Sequence, residues 1–184
     1  LYLVGTNTFG EVNLSGLTII GRSDVRNLMM VRRADCHLTD VHVREGVTGF
    51  QSRSRTTVTL DRCSATEMSG SGAVAYDSTM FVNDSTFTEC AGAAAAISHV
   101  FAFEYSELHV QRCTMVGNGY GVYVNSPNAT IDSPVTIRDS LIAGHVADGV
   151  ANGGFYGHQV SVSGCTIVDN GGCGLSSFAW DLIA

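Results

Sequence analysis

One eight-residue phrase recurs seven times along the chain and limits what it can fold into more than any other feature. Its clearest copy is Val58-Thr59-Leu60-Asp61-Arg62-Cys63-Ser64-Ala65. The same skeleton restarts at Val12, Cys36, Met80, Leu108, Val135 and Val160, and successive starts lie 24, 22, 22, 28, 27 and 25 residues apart. Aligned, the first column reads Val12, Cys36, Val58, Met80, Leu108, Val135, Val160, and the third Leu14, Leu38, Leu60, Val82, Val110, Ile137, Val162. The sixth reads Leu17, Val41, Cys63, Ser85, Cys113, Ser140, Cys165, and the eighth Ile19, Val43, Ala65, Phe87, Met115, Ile142, Ile167. A period in this range signals a solenoid, array or propeller. Alternation inside each copy is the mark of a strand whose every second side chain points inward. One such strand cannot bury its own inner face, whereas copies stacked in parallel, about 4.8 Å apart, make a continuous core.

The fifth column gives an independent check on that register. It reads Gly16, Asp40, Arg62, Asp84, Arg112, Asp139, Gly164, so acid and base alternate over five successive copies. On neighbouring strands opposite charges attract and like charges repel, which makes this column a solvated ladder that favours the in-register stack. Its exposed pairs fix alignment more than they stabilise.

Composition limits the partners. The chain has 184 residues, 45% hydrophobic, with 21 Gly, 2 Pro and a net charge of -7; its ten bases are all Arg. That length suffices for a single domain over residues 1–184 with a sizeable core, read as a segment of a longer solenoid. The acidic balance argues against nucleic acid and against an anionic membrane surface. No apolar run approaches the roughly 20 residues of a membrane span, so membrane insertion is not expected. Leu1 to Gly5 reads as the closing strand of a preceding coil, and Phe178 to Ile183 as the start of an eighth. Open coil ends of this kind would permit end-to-end self-association.

Cys63, Cys113 and Cys165 share a column on alternate copies, about 9–10 Å apart, beyond the Cα separation of about 7 Å that a disulfide allows. They read as buried free thiols. Cys90 and Cys173 fall in turns, where Cys173 has Cys165 as a conceivable disulfide partner. No Cys/His spacing resembles a zinc site. Sequons at Asn13, Asn83 and Asn128 lean weakly towards a secreted or cell-surface protein.

After each phrase come a polar turn and a second apolar stretch, often led by Gly, as in Gly121-Val122-Tyr123-Val124. A bend within the phrase divides it in two, giving three short strands per coil. The phrase with Val, Leu, Cys and Ile inward, followed by Gly117-Asn118-Gly119-Tyr120-Gly121-Val122-Tyr123-Val124, resembles the right-handed parallel β-helix repeat of the pectate-lyase-like superfamily. The expected fold is therefore all-β, a right-handed parallel β-helix of about seven coils. Left-handed hexapeptide helices need about 18 residues per coil, which the spacing excludes. The resemblance implies a choice among polysaccharide lyases, hydrolases, esterases, epimerases, tailspikes, adhesins and non-catalytic surface repeats, and fold alone does not decide between them.

Three groups of residues are candidates for a site. Glu45, Glu67 and Glu89 occupy one column at the turn after the phrase on three adjacent coils, with Arg44 beside them. Carboxylates at that spacing suit Ca²⁺ through oxygen ligands, or an acid–base pair for sugar chemistry. Lyases that resemble this fold hold Ca²⁺ with acidic residues and use Arg as base, although no motif of theirs matches residue by residue. The second group is the set of inserts 99–107, 125–134 and 152–158, which lengthen three consecutive coils at one place and would stack into a ridge. Phe101, Phe103 and Tyr105 alternate there, with Glu104 beside them and Phe155-Tyr156 two coils along; His99, Asp132 and His158 are the other titratable groups. Aromatic side chains beside acids suit carbohydrate. The third group, His37 and His109, stands in the outward second column three coils apart and reads as two isolated surface histidines. These features point to a non-catalytic solenoid segment of a larger secreted or surface protein that presents a face to carbohydrate or a neighbouring protein. A lyase, hydrolase or epimerase acting on acidic glycans is the alternative, and a filament or tail-fibre block a third.

Overall fold

A computed structural model describes residues 1–4, 11–22, 24–98, 105–125, 133–153, 158–177 and 182–183. Its strands form three parallel sheets, of eight, seven and eight strands, in which each strand pairs with the equivalent strand one coil away. The phrase supplies two of the sheets. Its first half gives sheet one, through strands such as Asp35–Thr39, Thr57–Asp61, Thr79–Asn83 and Glu107–Gln111. Its second half gives sheet two, through His42–Arg44, Ser64–Thr66, Thr86–Thr88 and Thr114–Val116. The Gly-led stretches give sheet three, through Asn27–Arg32, Thr48–Arg53, Ala73–Tyr76, Ala93–Ser98 and Tyr120–Asn125. The result is a parallel β-solenoid of about seven coils with three short strands per coil. Tyr2–Val4 pairs into sheet three and Leu182–Ile183 into sheet one, where Leu182 lies opposite Val160.

Register is as the columns demand. Leu38 lies opposite Leu60, Leu60 opposite Val82 and Val82 opposite Val110, each at most 1% exposed. Size is traded between facing columns. In the eighth column Phe87 follows Ala65, and the space for its ring comes from Gly72, where an added Cβ would lie 2.5 Å from Phe87 Cδ1.

The bend between sheets one and two falls on the fifth column, whose non-glycine members all adopt the left-handed conformation, with φ of 54° at Asp40, 52° at Arg62, 49° at Asp84, 52° at Arg112 and 51° at Asp139. There the charges sort into discrete pairs. Arg62 Nε and Nη2 donate to the two oxygens of Asp40, both at 2.9 Å, and Arg112 does the same to Asp84 at 2.7 Å. These bonds hold both carboxyls below their ordinary range.

At the sixth column the backbone N–H leaves the ladder and needs another acceptor. Ser85 Oγ accepts from Cys63 N–H and Ser140 Oγ from Cys113 N–H, each at 3.0 Å, and each hydroxyl donates onward to a carbonyl. The Cys/Ser alternation in that column is therefore a hydrogen-bond arrangement. All six cysteines are free. This corrects the pairing considered for Cys90, Cys165 and Cys173: Cys90 is buried inside its turn, while Cys173 is exposed and Cys165 half-buried. Burial pushes the thiols of Cys36, Cys63, Cys90 and Cys113 up to about 11.

Candidate functional site

The outward columns of sheet one form a flat polar face. Strand pairing aligns Asn13, His37, Thr59, Phe81, His109, Thr136 and Ser161 in its middle column. Thr39, Asp61, Asn83, Gln111 and Arg138 run beside them, and Glu11 faces Asp35 on the other flank.

The two histidines are not isolated, which corrects the expectation for them. His37 Nε2 lies 2.5 Å from Asp61 Oδ2, and Asn83 Nδ2 donates to Asp61 Oδ1 at 2.8 Å. Parallel strands put those three side chains on adjacent coils, close enough for one carboxylate to serve both neighbours. His109 stacks on Phe81 with ring centroids 4.7 Å apart and planes 12° from parallel. Its Nδ1 sits 2.7 Å from Thr136 Oγ1 and its Nε2 3.4 Å from Glu107 Oε2. Tyr105 donates its hydroxyl to the other oxygen of Glu107, and that bond, with some desolvation, raises its pKa to about 12. The middle of the face is therefore an aromatic pair flanked on both sides by oriented polar groups.

Two open cavities indent the same flank of this sheet and share Thr57. One, of about 330 Å³, is lined by Glu11, Asp35, Cys36, His37, Thr57 and Thr59. The other, of about 390 Å³, is lined by Arg55, Thr56, Thr57, Asp77, Ser78, Thr79 and Tyr105. It lies where short turns between sheets three and one give way to the longer inserts.

Glu45, Glu67 and Glu89 do stack on adjacent coils, at left-handed positions with φ of 62°, 56° and 55°. Their corner joins sheets two and three, away from the outer face of sheet one. Arg44 Nε approaches Glu45 Oε1 at 3.5 Å. Among the described residues, no group of three or more His, Cys, Asp or Glu is placed to hold a metal ion. Of the insert candidates, Phe101, Phe103, Glu104, Phe155 and Tyr156 lie outside the described residues, as do His99, Asp132 and Asn128. Tyr105 is 40% exposed and reaches sheet one, whereas His158 is fully buried. The sequon residue Asn83 has its amide turned to Asp61.

Sequence reasoning passed over Phe81, Asp61 and Glu107. Their signal was present: Phe81 shares the outward second column with His37 and His109, an aromatic where an exposed strand position would ordinarily be polar.

Neither a curated protein nor a solved structure matches the chain. The family described as "Right handed beta helix region" matches residues 26–181, and with the three stacked parallel sheets this makes the chain a member of the right-handed β-helix family.

Proposed function

We propose that this solenoid is a non-catalytic carbohydrate-binding segment of a larger secreted or surface protein, and that the outer face of sheet one is the surface it presents. The stacked Phe81–His109 pair carries the reading, because a fixed aromatic surface among hydroxyl, carboxylate and amide groups suits a sugar ring. Asp61 and Asn83, fixed by each other, and Glu107 and Thr136, both held by His109, surround it as donors and acceptors. Two central acids argue against glycoside hydrolysis. Asp61 and Glu107 are two strands and four residues apart, about 16 Å by strand geometry, well beyond the 9.5 Å or so that an inverting pair tolerates.

Affinity electrophoresis through gels containing dextran, xylan or mixed-linkage β-glucan tests the proposal. Retardation by at least one of them, weakened about tenfold by Phe81→Ala, is expected. Migration unaffected by every neutral glycan, or unchanged in the Phe81→Ala variant, would overturn it.

A hydrolytic reading is kept alive by one observation: Glu11 and Asp35 stand opposite each other on adjacent strands, which puts two carboxylates on one flank of the sheet, as an acid–base pair requires. Release of reducing sugar that disappears in Glu11→Gln and Asp35→Asn would favour it.

A further inference from the structure

Of the ten arginines, four are ion-paired among the described residues and six are not; four of those six, unlike Arg26 and Arg138, cluster at one corner. Arg22, Arg44, Arg62 and Arg112 are each ion-paired with a carboxylate. Arg32, Arg33, Arg53 and Arg55 lie on two adjacent coils at the corner where sheet three turns into sheet one, and none of the four has a carboxylate partner among the described residues. Arg32 lies opposite Arg53 in register. Arg32 Nε donates to Ser54 Oγ at 3.2 Å, whereas the Arg53 guanidinium lies 4.4 Å over the Tyr76 ring and its buried Nε has no acceptor among the described residues. Arg33 and Arg55 take left-handed turns with φ of 55° and 57°, each two residues ahead of its sheet-one strand.

This corner inverts the logic of the other charged turn. Along Asp40, Arg62, Asp84 and Arg112 the solenoid alternates sign and closes each pair with two hydrogen bonds. At Arg32/Arg53 and Arg33/Arg55 it sets like charges on neighbouring coils, about 4.8 Å apart, where they repel. Asp77, the next member of the Arg33–Arg55 column, accepts Arg55's backbone N–H through its own carbonyl. The acid nearest the cluster, Asp77, lies one coil beyond Arg55 and lines the same cavity, but among the described residues it closes no ion pair with it.

We propose that the arginine corner binds a tetrahedral oxyanion, the sulfate or phosphate ester of a glycan strand lying on the outer face of sheet one. One guanidinium fork already saturates the two oxygens of a carboxylate, whereas three terminal oxygens suit forks presented from two coils. The 390 Å³ cavity beside the corner sets Arg55 next to the hydroxyl-bearing Thr57, Thr79 and Tyr105 and the carboxylate of Asp77. Those groups match sugar hydroxyls around an ester. The glycan half of the proposal rests on the carbohydrate reading of the sheet face; the oxyanion half does not.

Dextran and dextran sulfate share a backbone and differ in the ester, so calorimetry with both separates the two halves. Inorganic sulfate and phosphate, polygalacturonate and duplex DNA complete the set of probes. Dextran sulfate should bind at least tenfold more tightly than dextran, polygalacturonate or DNA. The double variant Arg33→Asn/Arg55→Asn, whose amides tolerate the left-handed turn, should lose about tenfold or more, while Arg62→Asn should not. With no anion present the double variant should melt at the same temperature or higher, because repulsion is removed. If inorganic sulfate binds as tightly as the polymer, in an Arg33- and Arg55-dependent way, a free oxyanion is the ligand and the glycan half falls. If no neutral glycan binds but sulfate still raises the melting temperature of the wild type alone, the sheet-face reading fails and the anion site stands. Dextran sulfate affinity unchanged in the double variant, or equalled by polygalacturonate or DNA, overturns the proposal.

Discussion

His145 should make the solenoid sensitive to mild acid, and the size of the effect follows from its surroundings. The residue is 2% exposed and belongs to a column inside the turn after sheet two. Its neighbours in that column bond alike: Asn118 Oδ1 accepts from Cys90 N–H at 2.9 Å, His145 Nδ1 from Asn118 N–H at 3.0 Å, and Asn170 Oδ1 from His145 N–H at 3.1 Å. With Nδ1 accepting, the ring proton sits on Nε2, which is buried without a partner among the described residues. Protonating Nδ1 would break the bond from Asn118, and the side chains above and below, Asn118 and Asn170, are neutral. Burial holds the imidazole below its ordinary 6.5. The unfolded chain therefore takes up the proton first as pH falls. Stability is complete above about pH 6.5 and declines below it, by up to about 1.4 kcal/mol per pH unit, until the folded pKa is reached. His145→Asn keeps an acceptor at the same place and removes the orphan N–H, whose burial costs about 1–3 kcal/mol. Urea melts at pH 7.5, 6.5 and 5.5 should show the variant at least as stable as wild type at pH 7.5, with its advantage growing from pH 6.5 to 5.5 by at most about 1 kcal/mol. Asp40 and Asp84, whose carboxyls sit low beside Arg62 and Arg112, lose their contribution only in stronger acid and equally in both proteins. Parallel pH profiles for the two proteins would refute this account of His145.

Two further outcomes test the packing. Phe87→Ala deletes a fully buried ring that fills the space left by Gly72, and should cost about 3–5 kcal/mol in urea melts; a loss under 1 kcal/mol would mean that the facing columns do not interlock. With Ellman's reagent, Cys173 should react promptly and Cys165 more slowly, while Cys36, Cys63, Cys90 and Cys113 wait for denaturant, being buried with thiols raised to about 11. Rapid reaction of more than two thiols would contradict the stacked interior.

The parts of this fold that were legible in sequence are those set by a period. Inward columns such as Leu38–Leu60–Val82–Val110 are written directly in spacing, since a one-residue slip would turn every apolar side chain outward. The alternating fifth column was legible for the same reason, although its resolution into the discrete pairs Asp40–Arg62 and Asp84–Arg112 was not. A guanidinium has one fork and cannot serve two neighbours equally. The sheet-one face was half legible: His37 and His109 were placed outward, but their partners Asp61, Phe81 and Glu107 lie 24, 28 and 2 residues away in sequence. The His37–Asp61 contact joins unlike columns and depends on side-chain reach and direction, which carry no period, whereas Phe81 stood in the histidine column itself and was overlooked. The buried His145–Asn118–Asn170 column was missed because turns of unequal length blur the alignment there.

The three left-handed corners show how one architecture serves two ends. Among the described residues, most corners fall on a residue with positive φ, a position that selects for conformation and leaves the side chain free to vary. At the first corner that freedom goes into register, through acid and base in alternation. At the second it holds Glu45, Glu67 and Glu89, then Gly117 and Gly144, with no ion pair running from one coil to the next among the described residues. At the third it holds Arg33 and Arg55 side by side, against the electrostatic preference of the stack. Such a departure adds nothing to register, and the oxyanion proposed above would compensate it from outside. Because the third corner borders the sheet that carries Phe81 and His109, a ligand strand crossing successive coils would meet the aromatic pair and the arginines in one pass.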